Sequence, residues 1–186
     1  YRYPEGIGVD FIAELNEDGT CTWRLGIDNG SDQEVCAVSF PKINGLRAGF
    51  EHADDTLLWP VAWGQIWRNP VACNLPSKLG PMLRFVDLYD GETAFYLANY
   101  DRELYHTSYS FPNYDTSSLT AAWTRYVTVK PGDKFEGLET CIGAHRGDWH
   151  YAADRYREWA EAWMEEPPVP PWAVEVHGWG TYDSNR

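Results

Sequence analysis

Five side chains between Asp54 and Trp67 have the types and spacing to handle a sugar: Asp54, Asp55, Trp59, Trp63 and Trp67. Carboxylates accept hydrogen bonds from hydroxyl groups, and flat indole faces cover the C–H face of a pyranose ring. They sit in a stretch rich in proline and glycine with no sustained period, and such stretches host function out of proportion to their length. The same residues also fit a loop folded onto a sheet, with the indoles buried and Asp54 or Asp55 capping a turn. Acid and base catalysis of glycoside cleavage needs two carboxylates at a set separation. Adjacent aspartates point apart, so the sequence fixes no such pair. Catalytic residues are therefore left unassigned.

Other chemistry is poorly supported. His145 and His150 lie five apart, whereas a metal-binding pair on one helix face lies four apart, so surface or capping roles are favoured. His52, close to Asp54 and Asp55, is the one histidine placed to work with a carboxylate. Gly143 to Gly147 lacks the lysine and spacing of a phosphate loop, and no Ser or Cys sits in a nucleophile elbow. Asp87, Asp90 and Glu92 fit no known calcium loop and read as a solvated hairpin tip. Cys21, Cys36, Cys73 and Cys141 form no CxxC pair and read as free thiols. Neither a metal nor a cofactor is expected.

The 186 residues, 44% hydrophobic and 16% aromatic, can bury one sizeable core but hardly a second complete domain. A net charge of −13 argues against a nucleic-acid partner and against an anionic membrane surface. It suits a neutral or cationic small ligand. No stretch is long and apolar enough to span a bilayer. The chain starts at Tyr1 without Met or a leader and reads as trimmed; a secreted or periplasmic setting is favoured over a cytoplasmic one.

The elements that must position these groups are mostly strands. Residues 9–27 alternate on both arms of an Asp18-Gly19 turn, the pattern of a hairpin. A third strand is expected over 35–40, ended by Pro41. Residues 41–81 read as an ordered, aromatic-rich excursion. Strands resume over 82–89 and 93–100 around Asp90-Gly91, then over 103–110, 120–129 and 134–142. This spacing implies an antiparallel β-sandwich. One helix follows, with Asp148 as its N-cap. Trp149, Ala152, Ala153, Tyr156, Trp159, Ala160 and Trp163 recur at helical steps and form its apolar stripe. Asp154 with Arg157 and Arg155 with Glu158 can pair on its outer face. Pro167, Pro168, Pro170 and Pro171 then forbid continuation and set up an extended spacer. Ala173 to Val176 could open a further strand.

The order of a sandwich, a GDWHYAADRYREWA helix and a PPVPPW spacer resembles a group of bacterial glycoside hydrolases, including glycosidase-like proteins of the DUF6259 type. The segments DDTLLWPVAWGQIWRNP and LRFVDLYDGETAFYLANYD look similar too, and the likeness covers about residues 9–179. These proteins carry an N-terminal β-supersandwich of the galactose mutarotase kind before a (β/α)8 barrel. The resemblance implies a mainly β, supersandwich-like domain over 1–146, a linker helix over 147–166, and a Pro-rich linker over 167–186 leading to a barrel. It also implies that the catalytic carboxylates lie in the barrel, and that the loop holding Asp54 to Trp67 is lent to the substrate pocket. The expected partners are an oligo- or polysaccharide and the barrel. The rival readings are a free-standing carbohydrate-binding module, a mutarotase-like or lyase-like sandwich enzyme, and a purely structural interface domain.

Overall fold

The computed structural model describes residues 1–61, 64–73, 75, 82–112, 117–165 and 168–175. Among the described residues, ten strands form two antiparallel sheets. Strands β1 (Ile7–Leu15), β2 (Cys21–Asn29), β10 (Lys134–His145), β7 (Ala94–Asn99), β6 (Phe85–Tyr89), β4 (Thr56–Trp59) and β5 (Gln65–Arg68) make a seven-stranded sheet in that order. Strands β3 (Val38–Leu46), β9 (Leu119–Arg125) and β8 (Thr107–Ser110) make a three-stranded one. The expected sandwich is present.

The Asp-Gly hairpins form as the pattern requires. β1 pairs β2 in unbroken register from Ile7 with Asn29 to Leu15 with Cys21. In the turn Gly19 takes a φ of 82°, open to glycine without strain, and Asp18 accepts from the Thr20 N–H at 2.9 Å. Asp90 plays the same part before Thr93, with Gly91 at a φ of 99°.

Two expectations change. β3 does not stop at Pro41 but continues to Leu46, its ladder with β9 skipping Phe40 and Pro41. β3 is an edge strand, where a missing N–H is tolerated. The stretch read as an irregular excursion folds back onto the large sheet as the hairpin β4–β5, with β4 also pairing β6. Its strands have only four residues each, too short to show a period among prolines and glycines.

The inter-sheet core follows strand alternation. Leu57, Trp59, Val86, Leu88 and Leu97 of the large sheet meet Tyr109, Leu119, Ala121 and Trp123 of the small one. The opposite face of the large sheet carries the helix α1 (Trp149–Glu161). Asp148 caps it by accepting from the His150 N–H at 3.0 Å. Ala152, Trp149, Ala153 and Tyr156 pack over Leu58, Phe85, Tyr96 and Ala98. Trp159 stacks on Tyr100 at 4.6 Å and 5°. The foreseen pairs form outside, Arg155 with Glu158 at 3.2 Å and Arg157 with Asp154 at 3.1 Å. Arg155 also reaches the Asp18 carboxylate, tying α1 to the first hairpin. After the prolines, Pro171–Val174 (α2) is one helical turn rather than the start of a strand, and residues 176–186 lie outside the described residues. All four cysteines are free thiols.

One polar group crosses the hydrophobic interior. Arg125, fully buried at the end of β9, donates from Nε to Asp101 Oδ2 at 2.8 Å. Its other nitrogens donate to the Phe40 carbonyl, the Glu139 carbonyl at 3.1 Å and Thr140 Oγ1 at 3.0 Å. Asp101 Oδ1 in turn accepts from the Glu139 N–H at 2.5 Å. One guanidinium therefore holds β3 and β9 of the small sheet to β10 of the large one. Each of its bonds is charge-assisted and shielded from water.

Candidate functional site

The β4–β5 hairpin decides where the five candidate sugar-handling residues go. Alternation turns Leu57 and Trp59 toward the small sheet and Leu58 toward α1. The Trp59 ring is completely buried and packs edge-on against Phe111 at 4.9 Å and 74°. It has no face free for a sugar, which corrects the expectation for this residue. Trp67 stands opposite Leu57 across the hairpin and shares its side of the sheet. It is half-buried because β5 is an edge strand, and its ring packs against the main core. Trp63 lies outside the described residues.

The two carboxylates separate across the bend that precedes β4. Asp54 is exposed, whereas Asp55 is buried at 1% exposure. Asp55 Oδ1 accepts from the Ala48 N–H at 3.2 Å, and Oδ2 has no hydrogen-bond partner. Burial pushes its carboxyl up to about 6. The Ala48 N–H pulls it back, the Asp54 and Asp90 charges push it further, and His52 pulls it down. The two carboxylates do not flank a common bond. Of the candidate residues that are described, Asp54 is exposed and Trp67 is half-buried, so these two remain accessible to a hydroxyl-rich ligand.

This geometry has a consequence for stability. Asp55 holds its proton more tightly folded than unfolded, so its contribution is fully present below its ordinary pKa of 3.8 and is lost as pH rises through about 6. Asp55→Asn keeps the Oδ1 acceptor without the charge. Thermal or urea denaturation should find the variant more stable than the parent by about 1–3 kcal/mol at pH 7. That gain should shrink to nearly nothing at pH 4. A difference independent of pH would contradict the burial of this charge.

A second acid–histidine contact escaped the sequence reading. His145, at the end of β10, sets Nε2 2.9 Å from Asp87 Oδ1 on β6. Both side chains are buried. Nδ1 lies 3.1 Å from the Arg146 carbonyl. Burial pushes Asp87 up to about 6, His145 pulls it down and the Asp148 charge pushes it up. Tyr151 stacks on the imidazole at 4.2 Å and 21°. The contact joins β10 to β6, and the Tyr151 stack on the imidazole fastens the start of α1 to it. His150, by contrast, takes the capping place expected of it, with Nδ1 2.7 Å from Asp148 Oδ1. A signal for Asp87 was present: an acid between Val86 and Leu88 in an apolar strand shares its face with Phe85 and Tyr89, and a buried charge demands a partner. The hairpin-tip reading, apt for Asp90 and Glu92, hid it.

No protein-family model matches the sequence, and no curated protein matches it. Solved structures do resemble it. The α-galactosidase of Lactobacillus brevis superposes with a TM-score of 0.55 at 10% identity, over 85% of this chain and 24% of that one. The GH36 α-galactosidase AgaB of Geobacillus stearothermophilus gives 0.52 at 13% identity, over 82% and 24%. AgaA of the same organism gives 0.50 at 13% identity, over 77% and 22%. The chain thus spans about a quarter of the length of these enzymes. What it shares with that part of them is its antiparallel sandwich fold.

Proposed function

We propose that this chain is the sandwich portion of a glycoside hydrolase, catalytically silent by itself, which supports a (β/α)8 barrel and lends the barrel's pocket a sugar contact. The observation that carries the reading is the fold held in common with α-galactosidases over most of this chain and a minor part of theirs. The enzymes compared include AgaA variants in complex with raffinose and with stachyose, so an α-galactoside is the substrate class to try first. The arrangement of residues agrees with a supporting role. The buried acids, Asp55, Asp87 and Asp101, are committed to the interior, and Asp54 with Trp67 remains at the surface of the edge hairpin. Membership of the DUF6259 type belongs to the same proposal, as does the division at 146 and 166.

Calorimetric titration with raffinose tests the sugar contact. Weak saturable binding is expected, and Asp54→Ala and Trp67→Ala should each reduce it several-fold without lowering the melting temperature by more than about 7 °C. Absence of binding at tens of millimolar would leave the purely structural reading, which the burial of Trp59 and Asp55 favours.

A further inference from the structure

A cleft of about 280 Å³ opens between the two sheets at the end opposite α1's capping turn, lined by Met82, Arg84, Leu104, Tyr105, His106 and Tyr109 among others. Its floor is unusual in three respects. First, the charges do not balance. Arg84 and Arg125, with side chains 12% and 0% exposed, share the single carboxylate of Asp101, which is fully buried. Among the described residues, these three side chains taken by themselves sum to one positive charge, and the Glu103 carboxylate lies at the rim on the Tyr105 hydroxyl. Burying a lone charge is costly unless something pairs with it.

Second, hydrogen-bonding groups around it are unused. Arg84 Nη1 donates to the Asp101 carbonyl at 2.9 Å, but Nη2 lies 3.5 Å from Asp101 Oδ2 and makes no hydrogen bond. Tyr109 is 1% exposed, and its hydroxyl makes no hydrogen bond of good geometry, with Asn99 and Arg84 the polar side chains beside it. Asn99 is fully buried, and its Nδ2 is unpartnered while Oδ1 accepts from the Asp101 N–H at 3.0 Å. Backbone pairing brings Asn99 to Arg84, with the Asn99 N–H donating to the Arg84 carbonyl at 2.7 Å. Tyr109 meets both from the facing sheet: burial pushes its hydroxyl up, and Arg84, Arg125 and Asn99 beside it pull it back. Third, the rim is apolar and aromatic. Met82 and Leu104 are exposed, and Tyr105 is half-buried, its hydroxyl donating to Glu103 at 3.1 Å.

We propose that this inter-sheet cleft is a binding site for a small monocarboxylate of sugar-acid size, the carboxylate sitting on Arg84, Tyr109 and Asn99. Two amide- or guanidinium-type donors and a hydroxyl suit a planar, singly charged acceptor. One negative charge balances the one in excess, whereas a phosphate dianion overshoots it beside Asp101. The rim covers the ring that carries the carboxylate. The site lies on residues separate from Asp54 and Trp67, so it stands or falls independently of the sugar contact proposed above.

The test is calorimetric titration of the full chain with sodium D-glucuronate, and with D-glucose as the uncharged match. Saturable binding of glucuronate and none of glucose is expected. Arg84→Gln should weaken glucuronate by about tenfold or more and Tyr109→Phe by several-fold, since each removes a donor to a charged group. Asp54→Ala should leave it unchanged. Tyr109→Phe keeps the packed ring, so it decides the matter if Arg84→Gln does not fold. Equal binding of glucose and glucuronate, no saturable binding of either, or glucuronate affinity unaffected by Tyr109→Phe would overturn the assignment.

Discussion

Arg125→Met is expected to cost the sandwich about 4 kcal/mol and to leave only a partly cooperative unfolding transition. The substitution preserves much of the side-chain length but leaves the buried Asp101 carboxylate only the longer contact to Arg84 at 3.5 Å in place of its 2.8 Å bond to Arg125. It also leaves the Phe40 and Glu139 carbonyls and Thr140 Oγ1 without this donor. The penalty comes mostly from what is left behind, so adding Asp101→Leu should recover part of it. A replacement of both partners by apolar groups is often close to neutral where removal of one is severe. Urea denaturation of the two single variants and the double variant gives the coupling directly. Simple additivity of the two losses would mean that the buried pair does not join the sheets as described.

Trp59→Ala is the second large effect. The indole is wholly buried between the sheets against Phe111, so its loss removes apolar contact and opens a cavity that the strands cannot close. A destabilisation of about 3–5 kcal/mol follows. Trp67→Ala, only partly covered at the sheet edge, should cost about a third of that. The contrast matters because both indoles sit on the same hairpin and, by type and spacing, qualified equally as sugar platforms. Guanidinium denaturation monitored by far-UV circular dichroism separates them. Equal losses at the two positions would contradict the assignment of Trp59 to the core and Trp67 to the edge.

The divergence between those two tryptophans shows what could be read in the residues. Alternation with Asp-Gly turns fixed β1, β2, β6 and β7 to within a few residues, because period and turn chemistry agree locally. The amphipathic stripe and the Asp148 cap did the same for α1. The four-residue strands β4 and β5 carried no such signal. Their pairing is set by β6, which is distant in sequence, and only that pairing sends Trp59 inward. The sites depended on contacts of the same long-range kind. His145 and Asp87 lie 58 residues apart, and Arg125 and Asp101 lie 24 apart on different elements. Side-chain type alone could mark Asp87 and Arg125 as charges in apolar strands. It could not say which partner would neutralise each, since that is decided by strand order.

The central proposal is that this sandwich supports glycoside cleavage by a barrel rather than catalysing it. It is tested most directly by turnover of 4-nitrophenyl α-galactoside, measured for these 186 residues and for the whole product of their reading frame. The account predicts hydrolysis by the whole product and none by the sandwich. Hydrolysis by the isolated sandwich, or a whole product inert toward every aryl glycoside tried, would contradict it.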